Sequence, residues 1–462
     1  MNTSIKLTFL GAAGTVTGSK YLLQANNTTL LIDCGLFQGL KQLRVLNWEK
    51  FPVDPSSIDL VLITHGHLDH VGYLSRLVNE GYTGRIWGTS PTLEIARIIL
   101  EDSAKIQEEE ADRANQFGYS KHKNALPLYG LKDVEKTTPL FSSQELEKWI
   151  PISDQIQVRF RYNGHIIGAT FIELKVGNQT IVFSGDIGRL NDPLLYPPAR
   201  PEDADILLIE STYGDRIHPV DTEKRLAEII NCSLKRNGTI IIPGFAVERT
   251  QSLMYLLWQL QKKRVIPEIP VYMDSPMGRS VLEIFHHNTV WHRLPANECN
   301  EMCNRITRVQ TMEETLRLAA DRKSKIIIAG SGMATGGRVL TYFEHYLGDK
   351  TATILLAGYQ AEGTRGRQLL EGVNEIKLHG RFYSVKASIE NIDGLSAHAD
   401  QSELIHWLSK LKRSPKHIFI THGEPGAANE LRNMIKKKLG WNSFIPQLNE
   451  ELTFEKTPIT ST

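Results

Sequence analysis

Residues 60–70 read Leu60-Val61-Leu62-Ile63-Thr64-His65-Gly66-His67-Leu68-Asp69-His70. The apolar lead, 60–63, predicts a short buried strand. A Thr-His-Gly turn breaks it, and Leu68, Val71 and Leu74 then open a helical spacing. Three histidines and an aspartate (His65, His67, Asp69, His70) therefore fall within six residues, where a strand ends and a helix begins. Imidazole nitrogen and carboxylate oxygen are the donors that suit zinc and its first-row neighbours. Side chains two apart on extended chain face the same way, so His65 and His67 can grip one ion. Asp69 and His70, beyond the turn, point elsewhere and can grip a second.

Upstream, 5–10 and 19–24 are strand-like around a Gly-Ala-Ala-Gly turn, and Asn26-Asn27 turns into a third strand, 28–32. That strand ends in Asp33-Cys34-Gly35. An acid there either caps a turn or supports a metal-binding histidine from behind; with the cluster at 65–70 following, the second role is expected. Downstream, 91–117 predicts one long helix with Pro91 in its first turn. A less regular stretch, 118–140, is placed to lie over a site. Strand 155–162 runs into Asn163-Gly164-His165-Ile166-Ile167-Gly168, where His165 is either a solvated loop residue or a ligand. Two alternating runs, 170–176 and 180–184, close on Gly185-Asp186-Ile187-Gly188, which makes Asp186 a second candidate carboxylate. A buried run at 205–209 ends in Glu210-Ser211-Thr212-Tyr213-Gly214.

The texture then changes. Helical and strand patterns alternate from about residue 222 to 357, including a helix at 312–322 that Thr311 and Glu314 can cap reciprocally. Such alternation predicts a parallel sheet with helices on both faces. Residues 211–390 read as an α/β domain inserted between 1–210 and 391–462. The last part carries a strand-like run at 382–389, then Gly394-Leu395-Ser396-Ala397-His398-Ala399-Asp400 and a helix at 401–411. Strand 417–420 ends in Thr421-His422-Gly423-Glu424, repeating the turn at Thr64-His65-Gly66. Two such strand-end histidines suggest one shared sheet edge.

The chain has 462 residues, too long for one ordinary core. No apolar run approaches the length of a membrane helix, and the N-terminus reads as a strand rather than a signal peptide. A cytoplasmic location is expected. Four scattered cysteines argue against a disulfide framework. A net charge of +1 announces no nucleic-acid binder, so a polyanionic substrate would need positive charge concentrated in a cleft.

Together, Asp33, the His65-x-His67-x-Asp69-His70 run, His165 and Asp186 resemble the metallo-β-lactamase-fold hydrolases. More narrowly, Glu210 in IESTYG, His398 in GLSAHAD and His422 in THGE resemble the three marks of the β-CASP nucleases. That group includes the eukaryotic pre-mRNA 3′-end-processing endonuclease, its archaeal and bacterial relatives, and bacterial RNase J. The resemblance covers nearly the whole chain with no ligand missing. It implies an αββα sandwich with an inserted parallel α/β domain, and two Zn2+ ions per chain. One would be held by His65, His67 and His165, the other by Asp69, His70 and His422, with Asp186 bridging. A two-metal hydroxide mechanism on single-stranded RNA follows from it, with endonucleolytic cleavage expected. His398 would give the departing 3′-oxygen its proton, Glu210 would hold His398, and Asp33 would be the outer support. Because the chain starts at the hydrolase core, no KH-type module is expected before it, and at most a very short extension after it.

The inserted domain would then form one wall of a cleft. Its loop Gly330-Ser331-Gly332-Met333-Ala334-Thr335-Gly336-Gly337-Arg338 lies between a strand and a helix. Ser331, Gly332, Gly336 and Gly337 are candidate phosphate contacts through backbone N–H groups, and Arg338 through its guanidinium. Ser396 is a further substrate-binding candidate, and Arg365, Arg367, Arg381 and Lys386 are sources of positive charge. Further partners left open are a second copy of the chain and a helper RNA-binding protein. Two rival readings stand: a hydrolase of a small ester or thioester, and a non-catalytic RNA-binding relative. DNA as substrate is also open, since no sequence feature here reads a 2′-hydroxyl.

Overall fold

The computed structural model describes residues 4–118, 124–244, 247–358 and 360–454. The chain divides into two compact units: Met1–Gln38, Gln42–Ile217 and His398–Thr462 form the first, and Gly39–Lys41 with His218–Ala397 the second.

In the first unit, a seven-stranded sheet runs Glu451–Phe454, Ile5–Phe9, Tyr21–Ala25, Thr28–Ile32, Leu60–Leu62, Arg85–Gly88, Phe141–Ser143. Pairing is antiparallel as far as Thr28–Ile32 and parallel beyond it. A six-stranded sheet runs His417–Thr421, Ile206–Glu210, Gln179–Phe183, Thr170–Val176, Ile156–Tyr162, Ile150–Ser153. Strand alternation sends Leu7, Leu23, Leu30, Leu60 and Leu62 from one sheet against Val158, Phe160, Ile172, Ile181 and Leu208 from the other. The opposite face of the second sheet, through Val182, Leu207, Ile209 and Ile418, is covered by Leu404, Trp407, Leu431 and Ile435 of two helices. The helix Ser90–Phe117 packs against the Arg85–Gly88 strand of the first sheet. Helices outside and two sheets within make the αββα sandwich.

The second unit holds a six-stranded, all-parallel sheet: Ile306–Arg308, Val271–Asp274, Ile326–Ala329, Ile240–Pro243, Thr353–Ala357, Ser388–Ile392. Strands such as Ile240–Pro243 and Ile326–Ala329 are buried throughout, as a sheet covered on both faces requires. The Thr311–Glu314 capping box forms at the start of Met312–Ala320.

Some expected elements differ. The run 382–389 is two strands in two sheets: Arg381–Ser384 pairs antiparallel with Glu375–Leu378, while Ser388–Ile392 pairs parallel with Thr353–Ala357. A tight turn at His379-Gly380, both left-handed, makes that hairpin, and its partner strand went unread. The helix Pro276–His287 begins where Ser275 caps it and proline suits its first turn. Of the irregular stretch 118–140, residues 119–123 lie outside the described residues; the rest includes the helix Leu131–Thr137. Among the described residues, no helix is long and apolar enough to cross a membrane.

Candidate metal centre

The site lies at one end of the sandwich, where strands from both sheets stop. Beyond Leu60–Leu62 the chain turns through Thr64 and His65, and His67 caps the short helix Leu68–Val71. The Asp33-Cys34-Gly35 turn lies directly against this segment, with Cys34 N–H donating to His70 O at 2.7 Å and Ser19 N–H to Asp69 O at 2.9 Å. Only glycine permits that approach, since a Cβ on Gly35 would stand 1.6 Å from Asp69 O. Asp33 (φ 58°) and His422 (φ 47°) are both left-handed, a backbone state that costs a non-glycine residue and that surrounding packing must enforce.

Seven side chains converge there in two groups, and Glu210 stands close enough to Asp186 and His422 to form a third, overlapping set. His65, His67, His165 and Asp186 make one; Asp69, His70 and His422 make the other. In the first, His67 Nδ1 is 3.1 Å from His65 Nε2 and 3.2 Å from His165 Nε2, and Asp186 Oδ2 is 3.4 Å from His65 Nε2. In the second, His70 Nε2 is 3.2 Å from His422 Nε2, and Asp69 Oδ2 is 3.3 Å from the same His422 nitrogen. Asp186 Oδ1 turns to this second group, 3.3 Å from His70 Nε2. One carboxylate thus sends one oxygen to each group.

Burial holds His67 down to about 4 and holds His65 and His165 well below the ordinary histidine value. Burial also opposes a charge on His70, but the carboxylates of Asp186 and Asp33 outweigh it and raise His70 well above that value. A donor set of five imidazoles and two carboxylates facing common points fits a pair of borderline-soft divalent cations. The buried Asp186 Oδ1, which makes no hydrogen bond among the described residues, fits the same role.

Behind the donors stand residues that fix them. Asp33 Oδ2 accepts from His70 Nδ1 at 2.7 Å, and Asp33 lies in neither donor group. Asn163 Nδ2 donates to the carbonyls of Ser184 and Asp186, Thr212 Oγ1 lies 3.0 Å from His422 Nδ1, and Thr64 Oγ1 lies 3.1 Å from His65 Nδ1. These three were not read from the sequence. The signal available was the repeat Ile-Thr-His at 63–65 and 420–422 and the threonine two beyond Glu210.

His398 comes to the same end of the sandwich through a bridge with Gly188, two residues past Asp186. Its Nδ1 is 3.2 Å from both oxygens of the buried Glu210, and its ring packs 4.5 Å from that of His165 and stacks on Tyr213. Burial works against a charged His398, yet Glu210 prevails and raises it above the ordinary value. Glu210 is itself held by the amides of Ile187 and Thr212.

The loop candidates belong to the second unit. Ser331 Oγ accepts from Thr335 N–H, and Val339 N–H donates to Gly330 O, so the loop closes on itself. Arg338 opens the helix Arg338–Tyr346, and its guanidinium donates to Thr311 O at 2.8 Å and to Thr315 Oγ1, 3.5 Å from the Asp274 carboxylate. Arg365 donates to Ala334 O and Thr335 O, bracing the same loop. Ser396 is buried.

A fold of this kind, with paired histidine–carboxylate groups at the end of an αββα sandwich, defines a metallo-hydrolase of the metallo-β-lactamase superfamily, and the model of that superfamily matches residues 13–244. The Beta-Casp domain model matches 250–369, and the Zn-dependent metallo-hydrolase RNA specificity domain model matches 383–446. The chain belongs to the β-CASP family of these hydrolases. Ribonuclease TTHA0252 of Thermus thermophilus is 33% identical over 90% of this chain and 92% of its own. Transcription termination factor FttA of Methanosarcina mazei is 29% identical over 94% of this chain and 69% of its own. A crystal structure of a protein of unknown function from Enterococcus faecalis shares the fold, with a TM-score of 0.54 at 13% identity over 98% of this chain and 100% of its own.

Proposed function

We propose that this protein is a zinc-dependent endoribonuclease that hydrolyses phosphodiester bonds in single-stranded RNA, with two zinc ions per chain. The observation that carries this reading is Asp186, whose two oxygens face two separate donor groups beside the Glu210–His398 pair. The name of the Thermus relative and the RNA specificity domain match support RNA as the substrate. What two zinc ions would supply there is Lewis acidity, toward water and toward the phosphodiester oxygens alike.

The protein's own residues do the rest. Asp186 sets the two groups at one distance and is the shared donor. Asp33 holds the His70 ring. Glu210 favours the protonated form of His398 and orients it through Nδ1, so that Nε2 is the nitrogen from which a proton passes to the departing 3′-oxygen. In the second unit, the amides of Gly332, Gly336 and Gly337, with Ser331 and Ser396, are the contacts we assign to the RNA phosphates, and Arg338 anchors the loop to Thr311 and Thr315.

The test is cleavage of a 5′-labelled single-stranded RNA and a matching DNA strand by the zinc-loaded protein and by His67→Ala. Internal cuts in RNA alone, abolished in the variant, are expected. No cleavage of either strand by a protein that carries two zincs would point to a small-substrate hydrolase instead.

A further inference from the structure

We propose that Thr64 is a positioning residue for both metal groups at once, fixing which ring nitrogen of His65 and of His70 faces the ion. This rests on the metal-centre reading above. Thr64 is fully buried where the two sheets meet, its carbonyl accepting from Thr170 N–H at 2.9 Å. Its amide donates to Asp33 Oδ1 at 2.8 Å, and its hydroxyl oxygen lies 2.8 Å from Asp33 Oδ2. The same hydroxyl is 3.1 Å from His65 Nδ1.

A hydroxyl has one proton to give and two lone pairs to accept with. The carboxylate cannot donate, so the proton goes to Asp33, and Thr64 Oγ1 can only accept from His65. His65 then carries its hydrogen on Nδ1 and presents a bare Nε2 to the first group, 3.1 Å from His67 Nδ1. The Asp33 oxygen that Thr64 orients also accepts from His70 Nδ1 at 2.7 Å. His70 therefore presents its Nε2 to the second group, 3.2 Å from His422 Nε2. One threonine thus sets a histidine in each group, directly in the first, and in the second through Asp33 together with a longer contact of its own, 3.4 Å to His70 Nδ1. A threonine that merely satisfied itself in a core would need one of these partners.

Thr64→Val keeps the shape and removes the hydroxyl; Thr64→Ser keeps the hydroxyl. Zinc affinities of the full chain, measured by chelator competition, are expected to weaken about 10–100-fold at both sites in the valine variant, the usual size for an outer partner of a ligand. The serine variant restores both. An unchanged affinity at either site in Thr64→Val overturns the proposal. Should that variant not fold, 15N histidine spectra of the zinc-loaded wild type decide: protons on Nδ1 of both His65 and His70 support it, and a proton on Nε2 of either overturns it. A wild type that fails to take up two zincs defeats the metal-centre reading and this one with it, whereas two zincs in the wild type and an unaltered valine variant defeat this one alone.

Discussion

The donor cluster of the first unit and the loop 330–338 of the second dispose of their polar side chains differently. In the first, five imidazoles and two carboxylates face common points, and the buried Asp186 Oδ1 makes no hydrogen bond among the described residues. In the second, a glycine-rich loop that looks made for an anion spends its groups on itself: Ser331 on Thr335, Arg338 on Thr311 and Thr315, Arg365 on the loop carbonyls. Buried polar groups that leave their hydrogen-bonding capacity unused are costly, and proteins keep them where something else completes them. The donors of the first unit stay open toward a ligand, whereas Arg338 of the second unit has partners within the protein.

The largest effect that would sharpen this contrast is at Asp186. Asp186→Ala is expected to weaken both metal sites together, by more than the about 10–100-fold that a supporting residue costs, because it is a donor in both groups. Titration that finds one full-strength site left would show that Asp186 does not bridge.

The two groups should also differ in how they respond to acid. His67 stays neutral down to about 4, with His65 and His165 also held low, so the first group has few protons to displace on binding a metal. His70 is raised well above the ordinary value, so in the metal-free protein it must lose a proton before it can bind. Affinity of the second group should therefore fall as pH drops from 8 to 6, by up to about tenfold per pH unit, while the first changes less. Chelator competition at the two pH values checks this; an equal slope for both groups would break the distinction.

The smallest effect concerns the second unit. Arg338→Ala removes donors to Thr311 and Thr315 and strips the buried Asp274 of its cation. A loss of about 1–3 kcal/mol in stability is expected, seen as a lower Tm, with RNA affinity little altered. Weakened RNA binding at an unchanged Tm would mean that Arg338 contacts phosphate after all.

Much of this was legible because histidine at a strand end is uncommon and metal chemistry demands it. His65, His67, His165 and His422 each follow a strand, but the strands before His65 and His422 belong to different sheets rather than one sheet edge, and the histidines converge because both sheets stop at the same end of the sandwich. Threonine and asparagine carry no such mark. Thr64 and Asn163 do their work through hydrogen bonds to residues distant in sequence, such as Asp33 and Ser184. The partners of Arg338 were hidden for the same reason: next to glycines at a helix start it reads as a phosphate grip, while Thr311, Thr315 and Asp274, which it also reaches, sit well upstream. The run 382–389 reads as one strand because local alternation cannot say which sheet each half will join.

We propose a division of labour, in which seven side chains hold metal and His398, braced by Glu210, moves a proton without holding any. Zinc content and RNA cleavage measured on one preparation of His398→Ala test it most directly. Two zincs per chain are expected in both the variant and the wild type, with kcat of the variant down by about 10²–10⁴-fold. Loss of a zinc from that variant would contradict it and make His398 a ligand.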